Sequence, residues 1–215
     1  MLFRLPGVYT PQRDTWLLAE VLACEDVRPG TRVLDLCAGT GALSLRAAAA
    51  GAAQVTAVDL SRRAVASTWI NARRNGHSIR IMRGDLTEPV RDEHFDLVVS
   101  NPPYVPACAD ALPVRGIARC WDAGKDGRAL LDRICLQAPE VLDTGGTLLL
   151  MQSAMSGVEK TRIMLEEQGL RVDVAARVEI PFGPVLSSRR GLLEARGLIR
   201  IGQHTEEIAV LRAAK

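Results

Sequence analysis

The chain has 215 residues, enough for one domain with a full hydrophobic core. Hydrophobic residues make up 47% and charged ones 24%, and the net charge of +2 implies no broad nucleic-acid-binding surface, only a local basic patch at Arg189, Arg190, Arg196 and Arg200. No apolar run approaches the roughly 20 residues that cross a bilayer. The N-terminus turns polar too soon for a signal peptide, and five cysteines without a CxxC pair suit reduced, mostly buried thiols in a cytoplasmic protein with no bound metal.

In chain order, residues 14–24 are predicted as a helix, with Leu17, Leu18, Val21 and Leu22 at helical spacing and Asp14 as N-cap. After the turn Pro29-Gly30, residues 31–36 form a short apolar strand and residues 42–50 an alanine-rich helix. Residues 54–58 make a second strand ending on Asp59. Ser61 caps a helix running to Asn75, with Gly76 as its stop. A third strand, 78–82, closes on Gly84-Asp85, and a fourth, 95–100, runs into Asn101-Pro102-Pro103, where proline ends it. Residues 104–127 are irregular, a length that usually marks a functional loop. A helix at 128–142, the turn Gly145-Gly146, a strand at 147–151, a helix at 157–168, a strand at 171–180 and a last strand at 206–212 follow. The segment 181–202 is expected as an extended hairpin insertion with a short helix near 188–195. Seven strands alternating with helices predict a single α/β domain over 1–215, a mostly parallel sheet covered on both faces, preceded by an N-terminal segment and helix over 1–28.

Two segments carry chemistry. Val33-Leu34-Asp35-Leu36-Cys37-Ala38-Gly39-Thr40-Gly41 is a strand, a small-residue turn and a helix start, where glycine admits a ligand close to the backbone and the helix presents free N–H groups. Asp35 precedes the glycines. A carboxylate there repels a pyrophosphate, which argues against NAD or ATP, and suits a cationic amino-acid moiety. Asp59 ends the second strand, where an acid accepts from ribose hydroxyls, and Asp85 follows the third, where it can accept from an adenine amino group. Each could merely cap a helix. Three at successive strand ends mark one crevice.

Asn101-Pro102-Pro103-Tyr104 follows the fourth strand. A planar NH2 group donates two hydrogen bonds, and methylating it requires both to be held. The Asn101 side-chain oxygen can accept one and the Pro102 carbonyl the other. Prolines make the loop rigid, and Tyr104 can pack on a flat amide or ring. The residue types point to methyl transfer onto nitrogen, not to a particular substrate.

These two segments resemble those of the class I methyltransferases, over roughly residues 10–180. Cys37 stands where that family often has its first glycine. The resemblance implies a Rossmann-like seven-stranded sheet with its last strand antiparallel, and S-adenosylmethionine as cofactor. It assigns Asn101, Pro102, Pro103 and Tyr104 to catalysis. The cofactor would lie on Asp35, Cys37, Ala38, Gly39 and Gly41, on Asp59 and Leu60, on Asp85 and Leu86, and beside Asn101.

Val8-Tyr9-Thr10-Pro11-Gln12-Arg13-Asp14-Thr15 is similar to the segment before the first helix in the release-factor glutamine methyltransferases of HemK type, above all their short form without an N-terminal helical domain. Thr15 matches a cofactor contact there. Trp121-Asp122-Ala123-Gly124-Lys125-Asp126-Gly127-Arg128 resembles their segment after the catalytic loop. That family implies methylation of the glutamine amide in a release-factor Gly-Gly-Gln loop and, for the short form, a small zinc-binding activator subunit. Adenine or guanine in RNA or DNA, and a small molecule, remain alternative acceptors.

Overall fold

Seven strands form one sheet in the computed structural model, which describes residues 2–215. In chain order the elements are α1 (Arg13–Leu22), β1 (Arg32–Leu36), α2 (Ala42–Ala49), β2 (Gln54–Asp59), α3 (Arg62–Arg74), β3 (Arg80–Arg83) and β4 (Phe95–Ser100), then α4 (Leu131–Val141), β5 (Leu142–Ser153), α5 (Val158–Glu167), β6 (Arg171–Pro181), α6 (Pro184–Ala195) and β7 (Thr205–Ala214). The strand order is β3-β2-β1-β4-β5-β7-β6. The first five strands pair in parallel, and β7 runs antiparallel between β5 and β6.

Val33, Leu34 and Leu36 of β1, Val98 and Val99 of β4 and Leu148 to Met151 of β5 are buried, as strands covered on both faces must be. Helices α1, α2 and α3 line one face, while α4 and α5 pack on the other. This is the mostly parallel, covered sheet that the alternation predicts, in the Rossmann-like form with an antiparallel last strand that the resemblance implies.

Four expectations change. The segment 181–202 is not an extended hairpin, although the short helix expected near 188–195 is present and begins earlier. It holds α6, a helix of 12 residues started by Pro184, whose rigid φ suits a first turn. Leu186 and Leu193 are buried with Ile199 in a small second core. Ser187, Ser188 and Gly191 lower the local helix propensity, and burial of the leucine face overrides it. Second, Asp14 is not the N-cap of α1. Gln12 holds that position and Asp14 lies in the first turn. Third, only Cys135 of the five free cysteines is buried, while Cys24 and Cys108 are exposed. Fourth, Gly145 and Gly146 lie within β5 instead of before it, where the pairing with β4 shifts register.

Candidate active site

β1 lies between β2 and β4, so the connections leave its two sides in opposite directions and open a crevice at the carboxyl ends of the strands. A cavity of about 470 Å³ lies there, within the range of small-ligand sites. Its floor is the loop after β1. Cys37 adopts φ 60, a left-handed conformation that favours glycine, the residue that the resemblance expects there. Gly41 has φ 78 and begins α2. A Cβ there would lie 2.6 Å from Thr68 Cγ2, so the close approach of α2 and α3 requires glycine.

Asp59 fixes this floor. Its Oδ2 accepts from Gly39 N at 2.9 Å and its Oδ1 from Ser61 N at 2.8 Å. Burial raises its pKa despite those bonds and the nearby Arg119. Asp35 is fully buried, and its Oδ2 accepts from Ser44 N at 2.9 Å and from the Ser44 hydroxyl. Burial pushes its pKa up to about 7 against the Ser44 hydrogen bonds, with the Asp59 charge adding to the rise. Asp59, which lines the cavity, with Asp35 buried behind it, makes the site unfavourable for a phosphate. Asp85 forms an ion pair with Arg133 of α4, 2.8 Å away and about two-fifths exposed on both sides.

The loop after β4 is held from beneath. Asn101 Nδ2 donates to Asp14 Oδ2 at 3.0 Å and to Thr15 Oγ1 at 3.1 Å. The Tyr9 and Tyr104 hydroxyls donate to the same Asp14 oxygen at 2.9 and 3.1 Å. Burial, reinforced by the Asp14 charge, keeps both phenols protonated far above the usual tyrosine range. Asn101 Oδ1 is buried and has no hydrogen-bond partner among the described residues. The Asp14 carboxylate and the Thr15 hydroxyl on one side of the amide therefore orient its free carbonyl oxygen to the other. Ser156 Oγ donates to the Tyr104 carbonyl at 2.8 Å.

The cavity brings together Thr15, Cys37, Ala38, Gly39, Asp59, Leu60, Asp85, Leu86 and the whole of Asn101-Pro102-Pro103-Tyr104. Asp35 and Gly41 do not line it. The Asp35 carboxylate is turned toward the start of α2, and Gly41 acts by letting that helix begin. Sequence reasoning treated Asp14 as a helix cap and passed over Tyr9 and Arg133, though all three line the cavity. The signal for Asp14 was its position one residue before Thr15 in the first turn of a helix. Nothing local marked Arg133, which reaches Asp85 from 48 residues away.

Comparison with known proteins agrees with this geometry. The methyltransferase small domain family model matches residues 2–114. A Methanocaldococcus jannaschii protein, named provisionally as a protein N5-glutamine methyltransferase, is 36% identical over 82% of this chain and 88% of its own length. The release factor glutamine methyltransferase of Bordetella pertussis is 40% identical over 77% of this chain, which spans only 64% of that protein. Among solved structures, one from the E. cuniculi Mtq2–Trm112 complex, described as responsible for methylating the termination factor eRF1, superposes with a TM-score of 0.67 at 23% identity, covering 97% of this chain and 99% of that one. That likeness supports the fold alone. No helix among the described residues is long and apolar enough to cross a membrane. On the sequence relationships and the site together, the chain belongs to the methyltransferase small domain family and, within it, to the HemK-type release-factor glutamine methyltransferases.

Proposed function

We propose that the protein transfers a methyl group from S-adenosylmethionine to the side-chain amide nitrogen of a glutamine in a protein, with a release-factor Gly-Gly-Gln loop as the acceptor. The observation that carries this reading is the Asn101 side chain. Its NH2 is tied to Asp14 and Thr15, and its carbonyl oxygen is left free and buried.

The cavity fits the cofactor. Asp59 and Asp85 stand at adjacent strand ends as acceptors, and their carboxylates on the cavity wall suit a ligand with a positive charge better than a phosphate. When bound, S-adenosylmethionine supplies a methyl group on a sulfonium, a carbon that a nitrogen lone pair can attack. Asp59 would hold the ribose, Asp85 and Leu86 the adenine, and the loop from Cys37 to Gly39 the amino-acid portion. Asn101 Oδ1 accepts one N–H of the acceptor amide and the Pro102 carbonyl accepts the other, which turns the nitrogen toward the donor. Tyr104 packs on the amide plane. Transfer to the held nitrogen would form a C–N bond at the expense of the methyl–sulfur bond, with the surplus N–H proton leaving to water. Alignment and exclusion of water supply most of the rate.

A protein acceptor would place the enzyme with the translation apparatus in the cytoplasm, and a small zinc-binding activator subunit is part of the proposal. The test is incubation with labelled cofactor and a purified release factor, with and without a candidate activator. Label on the glutamine of Gly-Gly-Gln is expected. Label that goes to RNA or DNA instead, or that never reaches the glutamine in either mixture, overturns the proposal.

A further inference from the structure

Helix α6 takes no part in the transfer described so far, yet it grips the loop that follows Tyr104. Residues 105–107 and 121–124 form a short parallel ribbon with a single bridge between Val105 and Asp122. Val105 N donates to the Trp121 carbonyl at 2.8 Å, Ala123 N to the Val105 carbonyl at 3.1 Å, and Ala107 N to the Gly124 carbonyl at 2.8 Å. The ribbon flanks the loop 108–120 as its two stems, and Leu112, Val114 and Arg119 of that loop line the cavity.

Two arginines of the α6 segment cross those stems. Arg189 Nη1 donates to the Pro106 carbonyl on one stem at 3.0 Å and lies 2.7 Å from Asp122 Oδ1 on the other. Arg196 Nη1 donates to the Ala107 carbonyl at 2.7 Å and to the Lys125 carbonyl at 3.1 Å, while Nη2 donates to the Cys108 carbonyl at 3.1 Å. Leu186, Arg189, Leu193 and Arg196 follow at spacings of three, four and three, which puts them on one helical face. The leucines bury that face, and Val105 of the ribbon packs against the same cluster. The planar fork of arginine lets one side chain hold two or three separate carbonyls, which the single ammonium of lysine does poorly.

We propose that Arg189 and Arg196 are positioning residues for the methyl acceptor. They clamp both stems of the 108–120 loop, so that the Pro102 carbonyl and Tyr104, only a few residues upstream of the clamp, stay in register with Asn101. The proposal rests on the acceptor reading given above. It also removes two arginines from the local basic patch that the sequence suggested, since their donors are spent within the chain.

The test uses the full chain with Arg189→Met, Arg196→Met, the conservative Arg189→Lys and Arg196→Lys, and the pair Arg189→Met with Asp122→Asn. Peptide-level amide hydrogen exchange reports the ribbon, calorimetry the cofactor, and steady-state kinetics the acceptor. In the methionine variants, exchange in 105–108 and 121–125 should rise about tenfold or more, as expected for lost bonds to a charged group, with the peptides of β1 to β5 unchanged. Acceptor kcat/KM should fall about tenfold to a hundredfold, with cofactor Kd within twofold. The lysine variants should recover part of both. The Arg189–Asp122 pair should be non-additive. Ribbon exchange that stays at the wild-type rate in the methionine variants overturns the clamp. So does a loss of turnover that only follows an equal loss of cofactor binding and of thermal stability. A wild-type protein inert toward the release factor overturns the acceptor reading, and the exchange measurement still decides whether the clamp exists.

Discussion

Asn101 shows how one residue's role is set by its partners. Two acceptors surround its nitrogen, so the amide cannot flip without placing oxygen against the Asp14 carboxylate. Asn101→Ala should lower kcat about a hundredfold to a thousandfold, the range for removing one preorganised group from a transition state, with cofactor Kd nearly unchanged by calorimetry. Asp14→Asn releases the orientation while keeping the shape. Its kcat should fall by about tenfold, the range by which a displaced reacting group slows transfer, with the fold intact by circular dichroism. Buried acids also set a pH dependence. Asp35, with an ordinary value of 3.8, and Glu206, at 4.5, are both pushed up to about 7 by burial, with Asp59 beside the first and Asp14 near the second. Such acids bind a proton more tightly when folded. Their contribution is complete below about pH 4 and is lost as pH rises through 7, by an amount of the order of a few kcal/mol. Urea midpoints of the cofactor-free protein should therefore fall between pH 5 and pH 8, and Glu206→Gln should flatten part of that fall. A midpoint that rises over this range would contradict the burial argument.

At the scale of elements, the turn from β1 to α2 was legible because its constraints are local. Small residues, alternating glycines and an acid at the strand end follow from a backbone that must reverse tightly beside a ligand. Gly41→Ala should destabilise the protein by about 1–3 kcal/mol in denaturant titration, from the left-handed φ together with the Thr68 contact. Gly41→Ala should also weaken cofactor binding, because α2 begins at that point. α6 was less legible. The sequence placed a short helix only near 188–195, and its first turn from Pro184 read as part of an extended hairpin, because the burial of Leu186 has meaning only once the small core beside Val105 exists to receive it. Asp14 illustrates the same limit. Its place in a first turn was readable within two residues, but its partners are 5, 87 and 90 residues away in sequence.

Over the whole molecule, the cofactor cavity is built by the ends of four strands and by helix α1, so ligand binding should stabilise the entire sheet. At a hundredfold excess over Kd, linkage gives about 2.7 kcal/mol. For a chain of this size that corresponds to a rise in thermal midpoint of roughly 5–10 °C, measurable by scanning calorimetry with and without S-adenosylmethionine. The alternation of seven strands with helices, the acids at the strand ends and the Asn101-Pro102-Pro103-Tyr104 loop were determined by the sequence alone, because each depends on residues adjacent along the chain. Tertiary structure decided the rest. It turned Asp35 away from the cavity, paired Asp85 with Arg133, set Asp14 under Asn101 and drew α6 across the loop stems. Those contacts join residues 9 to 87 positions apart, and no local propensity encodes which distant partner a buried charge or a free carbonyl will find.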